Sequence, residues 1–240
     1  DFNLQQNQIK LGDTLPSPDL KGNLSAHVRL QPELINLSAF SLTLDNKNEI
    51  QFSTKVKNFS TNPKVELNFK KASFQLTDIL RWGAKWIPPL SGSGTLKGEN
   101  LSIIALFPKF NPDSVSLRDG LLTTENLTLN SKDIHIEKMN SSLQVNEITL
   151  KNGKPEKVSA DLKMQLTKAQ AQEAKIQNWK HTLKLNASGS NLSQVKVSFN
   201  TNMGSVQYDH PATNQIRLPF QAEGSLNGNW ERGNIELQKI

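Results

Sequence analysis

Apolar and polar side chains alternate strictly over short runs along most of the 240-residue chain. In the segment KVELNFK, Val65, Leu67 and Phe69 alternate with charged and amide residues. Successive side chains of a β-strand point to opposite faces of its sheet, so this pattern is typical of a strand with one apolar and one solvated face. The pattern recurs about a dozen times and predicts a mainly β protein.

The other runs share this period of two, and each places small or aliphatic residues on one face. They are Phe40/Leu42/Leu44, Ile50/Phe52, Leu143/Val145, Ile148/Leu150, Val158/Ala160/Leu162/Met164/Leu166, Leu183/Leu185/Ala187, Val195/Val197/Phe199, Ile216/Leu218/Phe220 and Ile235/Leu237.

Turn-forming residues separate many of these runs. DNKNE at 45–49 and KNGKP at 151–155 contain residues that tolerate a left-handed backbone or fix φ. The segments LTLDNKNEIQF (42–52) and LTLNSKDIHI (127–136) are near-copies of each other. Both predict antiparallel hairpins.

The glycine-rich stretch GSGTLKG at 92–98 invites a phosphate-loop interpretation, which its residue order excludes. Lys97 precedes Gly98, whereas a Walker loop needs Gly-Lys-Ser/Thr in that order, and the spacing of the glycines does not match a dinucleotide fingerprint. A similar GSLNG occurs at 224–228. We therefore predict that GSGTLKG begins a strand, where glycine permits tight bending of the sheet.

Two segments depart from the β pattern. TDILRWGAKWIPP (77–89) has Thr77 as a candidate N-cap and apolar residues at helical spacing before two prolines, which predicts a short amphipathic helix over 77–87. TKAQAQEAKIQNWK (167–180) is rich in Ala and Gln but has poor apolar spacing, so helix and strand both stay open there.

The predicted fold is a curved, twisted, mostly antiparallel sheet that forms a groove or an open sandwich, with one or two short helices. We expect a first β-repeat unit at 1–100, which includes the short helix, and a second at 101–240, joined in one continuous sheet and belonging to a longer protein. The apolar faces need a cover, and either a closed core or a bound ligand would provide it. With 35% hydrophobic and 6% aromatic residues, a thick closed core is difficult to build.

The sequence contains no constellation of catalytic residues. Cysteine is absent, and the four histidines have no metal-ligand spacing to one another. No G-x-S-x-G elbow occurs, and the acidic residues are scattered over the polar faces. We expect no enzyme activity, no cofactor and no metal. The net charge of +6 is spread along the strands rather than clustered with aromatics, so we expect no nucleic-acid partner.

The repeated GTLKG and GSLNG strands, the N-L-[ST] starts, the L-T-L-[DN] hairpins and the amphipathic helix before PPLSGSGTLKG resemble the AsmA-like proteins of Gram-negative envelopes, the group of AsmA, TamB and their relatives. The likeness spans most of the chain. The N component of type II secretion is similar in style, and a structural or protein-docking β module of a secretion or surface assembly is the alternative.

The AsmA-like resemblance implies a periplasmic protein with an inner-membrane anchor outside this sequence and with other envelope membrane proteins as partners. It implies a β-groove that binds the acyl chains of phospholipids and supports phospholipid transport or outer-membrane assembly. The expected lipid-facing residues are Leu42, Leu44, Ile50, Phe52, Val65, Leu67, Phe69, Val195, Val197 and Phe199. The alternative for each of them is that it fills a closed core.

Overall fold

A computed structural model describes residues 2–6, 22–45, 47–84, 89–111, 113–189, 192–208, 216–229 and 234–239. These residues form fourteen strands, one α-helix and one 3₁₀ turn. The elements follow one another as β1 (Phe2–Gln6), β2 (Gly22–Gln31), β3 (Leu34–Leu44), β4 (Asn48–Lys57), β5 (Lys64–Gln75), α1 (Leu76–Trp82), β6 (Ser91–Glu99), β7 (Ser102–Leu106), the 3₁₀ turn (Pro108–Phe110), β8 (Ser114–Asn130), β9 (Ile134–Lys151), β10 (Lys154–Ala171), β11 (Ala174–Ser188), β12 (Gln194–Tyr208), β13 (Ile216–Asn229) and β14 (Asn234–Lys239).

All fourteen strands belong to one sheet, in which neighbours along the chain are neighbours in space. Every described strand pair is antiparallel. The sheet is curved and is not a closed barrel. The predicted mainly β, antiparallel, curved fold is therefore confirmed. The sheet runs through residue 100 without a break, and the division into repeat units at 1–100 and 101–240 stays a prediction.

The strands β6 and β7 are two parts of one interrupted strand. Both lie between β5 and β8, with β6 pairing with the second part of β5 and β7 with the first. The interruption falls at Asn100, whose φ of 57° is left-handed, and at Leu101, whose carbonyl oxygen accepts a hydrogen bond from the Phe69 N–H at 2.8 Å. A β-carbon on Gly120 would lie 2.6 Å from Cδ1 of Leu101.

The two predicted hairpins are present. The first joins β3 to β4 and the second joins β8 to β9. The turn between β9 and β10 uses Asn152 and Gly153, with φ of 49° and 72°. Positive φ at both central residues is the signature of a type I′ turn, which matches the right-handed twist of the flanking strands.

The predicted short helix is present, but the predicted N-cap residue is wrong. Helix α1 begins at Leu76, and Gln75 rather than Thr77 occupies the N-cap position, without a side-chain capping bond. Asn48, at the start of β4, takes over the capping role because its Oδ1 accepts the Gln75 N–H at 2.6 Å. Its Nδ2 donates to Oδ2 of Asp78 at 2.8 Å. The predicted end of the helix falls partly on residues 85–88, which lie outside the described residues.

Residues 167–180, for which the sequence left helix and strand open, form strands. The helix alternative is therefore wrong. The segment contains the end of β10, the turn at 172–173 and the first half of β11. The apolar spacing is poor because Asn178, at φ 52°, is an irregular position inside β11. The apolar residues Ile176 and Trp179 on either side of it are three positions apart, a spacing that breaks the period of two.

The irregular position in β11 belongs to a line of irregular backbone positions that crosses the sheet, which we call the bulge seam: Gly94 in β6, Asn126 in β8, Lys138 in β9, Asn178 in β11 and Gly204 in β12. Gly94 has a φ of 116°, and Asn126 and Lys138 have φ of 49° and 51°. A β-bulge adds one residue to a strand and increases its bend. Between β6 and β8 the extra residue lies in β8, where residues 125–128 pair with residues 93–95. GSGTLKG lies in a strand, β6, as predicted, and Gly94 provides the positive φ opposite this bulge, whereas the bending role of the glycines stays a prediction.

We expect Gly94→Ala to destabilise the fold far more than Gly153→Ala. Both glycines have positive φ, but a β-carbon at Gly94 would lie 2.7 Å from Cα of Leu127, whereas one at Gly153 would have nothing within 4 Å. The Gly153 variant should lose about 1 kcal/mol for the left-handed backbone alone. The Gly94 variant should lose about 3 kcal/mol or more. Urea unfolding followed by circular dichroism measures the free energy of unfolding of both variants. Equal losses in the two variants would contradict close packing of the backbone around Gly94.

The helix anchor at Asn48 makes a second prediction. Asn48 is 0% exposed, so Asn48→Ala leaves the Gln75 N–H without its acceptor away from water. We expect a loss of about 2–3 kcal/mol in the free energy of unfolding. Asn200, an exposed residue of β12, is the matched control, and its replacement by Ala should cost less than about 0.5 kcal/mol. A similar result for both variants would show that Asn48 does not hold the helix.

Candidate functional site

One face of the sheet carries a continuous cross-strand row of apolar residues. Because residues paired across an antiparallel ladder share a face, the strand register defines this row directly. The row crosses ten strands and consists of Leu42, Ile50, Ala72, Gly98, Leu122, Leu143, Leu162, Leu183, Phe199 and Gly224. We call this row the leucine row and its side of the sheet the apolar face. At about 4.8 Å between strands, it extends for about 43 Å.

The row displaced by one residue lies on the opposite side of the sheet and is polar at every position. It consists of Thr43, Glu49, Ser73, Lys97, Thr123, Ser142, Lys163, Thr182, Asn200 and Glu223. We call this side the polar face. A register slip of one residue would exchange the two rows, so the contrast between them fixes the pairing.

All ten residues predicted to face lipid are half-buried in the structure. The register places Leu42 and Phe199 on the same leucine row, although they are distant in sequence. A parallel row on the same face runs through Leu67, Ile103, Leu117, Ile148, Val158, Ala187 and Val195. The strands therefore bring the residues predicted at 42–69 and at 195–199 together on one surface.

Two of the predicted residues, Phe52 and Phe69, belong to a cluster of aromatic rings. The rings of Phe40 and Phe52 stack with centroids 4.4 Å apart, and the rings of Phe52 and Phe69 are tilted with centroids 5.8 Å apart. Such pairs contribute about 0.5–1.5 kcal/mol beyond the burial of their area. This cluster stabilises the apolar face between β3 and β5.

The apolar face is only partly covered. Only six hydrophobic side chains are buried among the described residues, namely Leu76, Ala105, Leu127, Val145, Leu166 and Ala187. On the apolar face, Leu122 keeps 47% and Phe220 48% of its surface exposed. The whole chain exposes 15270 Å², compared with roughly 10,800 Å² for a compact monomer of 26.8 kDa. Among the described residues, the sheet has no second layer apart from helix α1, which contributes to this excess.

Helix α1 covers the apolar face locally at β6 and β8. The buried Leu76 approaches Gly92, where a β-carbon would lie 2.8 Å from its Cδ2 atom. Gly92 pairs with Leu129 of β8. Because Gly92 has no side chain, the helix can lie close against the sheet. The sequence alone had indicated only a bending role for this glycine. Arg81 contacts Asp45 at 2.6 Å, and this ion pair attaches the helix to the β3–β4 hairpin. Within the helix, Arg81 also contacts Asp78 at 3.1 Å.

The sequence-based list omitted the middle of the apolar face. Leu122, Leu143, Leu162 and Leu183 connect its two predicted ends. Their alternation was visible in the sequence, but nothing local shows that distant runs share one face. His181 was also missed. It extends the alternation of Leu183 and Leu185 by one step, which places it on the apolar face between Met164 of β10 and Thr201 of β12.

Ion pairs between neighbouring strands organise the polar face. Glu147 accepts from Lys157 at 2.5 Å and from Arg118 at 2.9 Å, and the ammonium of Lys157 lowers the pKa of Glu147. Glu66 accepts from Lys64 at 2.8 Å and from Lys57 at 3.2 Å, and the bond to Lys64 is the main reason that its pKa is lowered. The pairs of Glu147 with Arg118 and Lys157 and of Glu66 with Lys57 join adjacent strands on the solvated side, whereas Lys64 and Glu66 both lie in β5.

A furrow of about 750 Å³ lies between two rows of polar side chains at one end of strands β9–β13. It is lined mainly by amide, hydroxyl and charged side chains, including Lys157, Asn186 and Lys196. Ser159 donates to Asn186 at 2.8 Å, and Asn146 donates to Asp161 at 3.0 Å. The polar side chains around the furrow thus bond to one another across strands. We therefore assign the furrow to the polar face.

Within the described part of the chain, no group of three or more His, Asp or Glu residues could hold a metal ion. No helix in that part is long and apolar enough to cross a membrane.

Comparison with known proteins returns no match: no family model matches the chain, and no curated protein or solved structure shows significant similarity to it.

The lowered pKa of Glu66 predicts a pH dependence that Glu66→Gln should reduce. A carboxylate whose pKa is depressed in the folded state adds stability above its unfolded value of 4.5, and this stability is lost as the pH falls through the folded pKa. The variant should therefore be less stable than the wild type at pH 7, and the difference should shrink as the pH falls below 4.5. Urea midpoints at pH 7 and at a series of acidic pH values test this, and 1 M NaCl should shrink the difference at pH 7. A difference that does not decrease on acidification would contradict an ionic origin.

Proposed function

We propose that this protein binds the acyl chains of phospholipids along its apolar face and acts without chemical catalysis. The leucine row is the single observation that carries the proposal, because it presents about 43 Å of aliphatic surface that the fold leaves partly exposed. Monomeric soluble proteins rarely leave large apolar patches open, and such patches mark binding surfaces. Acyl chains need no hydrogen bonds, which suits a surface of Leu, Val, Ile and Ala.

The wider role follows from the resemblance to AsmA-like proteins. We propose a periplasmic location, inner-membrane anchorage by a segment outside this sequence, contact with envelope membrane proteins, and a part in phospholipid transport or outer-membrane assembly. The strict separation of an apolar and a polar face supports this proposal, because a carrier of acyl chains needs one face for its cargo and another for water.

A protein-docking β module is the second candidate. The terminal strands β1 and β14 each have one strand neighbour within the described residues. An edge strand presents unpaired N–H and C=O groups, which can pair with a strand of another protein. This candidate predicts tight protein binding and little bound lipid.

Native mass spectrometry of the purified chain, followed by lipid extraction, tests the proposal. We expect phospholipid to copurify at near-stoichiometric ratio. Val197→Glu should abolish this binding, because it places a charge on the apolar face, whereas Ser198→Glu, one residue along on the polar face, should leave it unchanged. Circular dichroism checks that both variants fold.

A second, uncharged variant keeps the test valid if the charged variant fails to fold. Val197→Trp adds bulk without charge and should reduce the amount of bound lipid by filling part of the face. A lipid-free wild-type mass, with no uptake from phospholipid vesicles, would contradict the proposal and favour the docking module.

A further inference from the structure

A row in which four of the six side chains are polar lies within the apolar face, directly beside the leucine row. It consists of Thr124, Ser141, Met164, His181, Thr201 and Ala222 on the consecutive strands β8–β13. We call this row the polar belt. On its other side, the apolar face continues through Leu127, Leu166, Trp179, Met203 and Phe220. The belt is therefore enclosed by hydrophobic residues on both sides.

The belt is held in place by its own hydrogen bonds. The hydroxyls of Thr124 and Ser141 are 2.9 Å apart. The indole N–H of Trp179 donates to Oγ1 of Thr201 at 2.8 Å, and Thr201 is 8% exposed. A threonine hydroxyl that accepts one bond still has its own proton to donate.

His181 is the member of the belt with unused hydrogen-bonding capacity. Its Nδ1 atom is buried and has no hydrogen-bond partner in the described part of the chain. The ring lies beside Trp179, with centroids 6.1 Å apart. A buried polar group without a partner costs about 1–3 kcal/mol, so an apolar residue would be more stable at this position. Because the Nδ1 atom is buried, it reaches a ligand on the face only after the ring turns about its Cβ–Cγ bond, and the presence of histidine there favours such a role in binding.

Resting on the proposed function, we infer that the polar belt binds the oxygen-bearing region of a phospholipid, with the acyl chains on the flanking leucine row. The ester carbonyl and phosphate oxygens of such a lipid accept hydrogen bonds, and the histidine and hydroxyl groups of the belt donate them. A pure hydrocarbon would cover the belt without accepting a hydrogen bond from any of its groups. A helix of a protein partner would satisfy its own backbone and would not need them.

Two probes with wild-type protein and His181→Leu test the inference. Diphenylhexatriene is wholly apolar and reports on the hydrocarbon surface alone. A fluorescent phosphatidylglycerol in phosphatidylcholine vesicles reports on amphiphile extraction. His181→Leu should weaken phospholipid extraction about fivefold, the effect of one lost hydrogen bond, while diphenylhexatriene uptake stays the same or increases.

Two control variants separate binding from a structural effect. His181→Gln keeps a donor and should retain most of the phospholipid extraction. Leu183→Ala, in the neighbouring leucine row, should weaken the uptake of both probes because it removes only apolar contact area. Diester and diether forms of the same phospholipid then identify the acceptor: an effect of His181→Leu limited to the diester form assigns the carbonyl, and an equal effect assigns the phosphate.

The outcomes distinguish this inference from the proposed function. Wild-type protein that takes up neither probe contradicts both. Wild-type protein that takes up both, with His181→Leu unchanged or equally impaired for both, contradicts the polar belt alone. Uptake of diphenylhexatriene but not of phospholipid by the wild type contradicts the belt and the proposed binding of phospholipids together, because the cargo would then carry no acceptor.

Discussion

The strand register is the constraint on which this structure depends. In a single sheet with one apolar and one polar face, a slip of one residue would turn the leucine row to the solvated side. An extra residue in one strand therefore needs an irregular backbone position at the same level of the neighbouring strand. The bulge seam is the result, since positions from Gly94 in β6 to Gly204 in β12 interrupt the alternation along one line. The strands bend together, and the two faces stay distinct on both sides of the line.

The bulges also explain which parts of the fold the sequence could predict. Uninterrupted alternation, as in 158–166, marks strands correctly, and the hairpins follow from local turn residues such as Asn152 and Gly153. In the sequence, Leu143/Val145 and Ile148/Leu150 read as two separate runs. Both runs belong to the single strand β9, and the pairing register of β9 with β10 shifts between the two runs. The irregular position at Asn178 likewise hid the alternation at 167–180.

The candidate site was predictable residue by residue but not as a surface. Alternation shows that Leu42 and Phe199 each point to an apolar face, and only the complete strand order shows that the face is the same. The role of His181 was hidden for a different reason. A polar residue among alternating leucines resembles a defect in the pattern, and its place in a row with Ser141 and Thr201 depends on pairing across β9–β12.

The sequential strand order has a consequence for how such a chain can grow and fold. Each strand contacts the strands next to it in sequence, so the sheet is close to a one-dimensional array in which stability is approximately a sum over neighbouring pairs. Inserting one more hairpin would lengthen the array while leaving the direction of every later strand unchanged. Gene duplication could thus extend the surface in units of two strands, and folding could begin at any tight turn and spread outward.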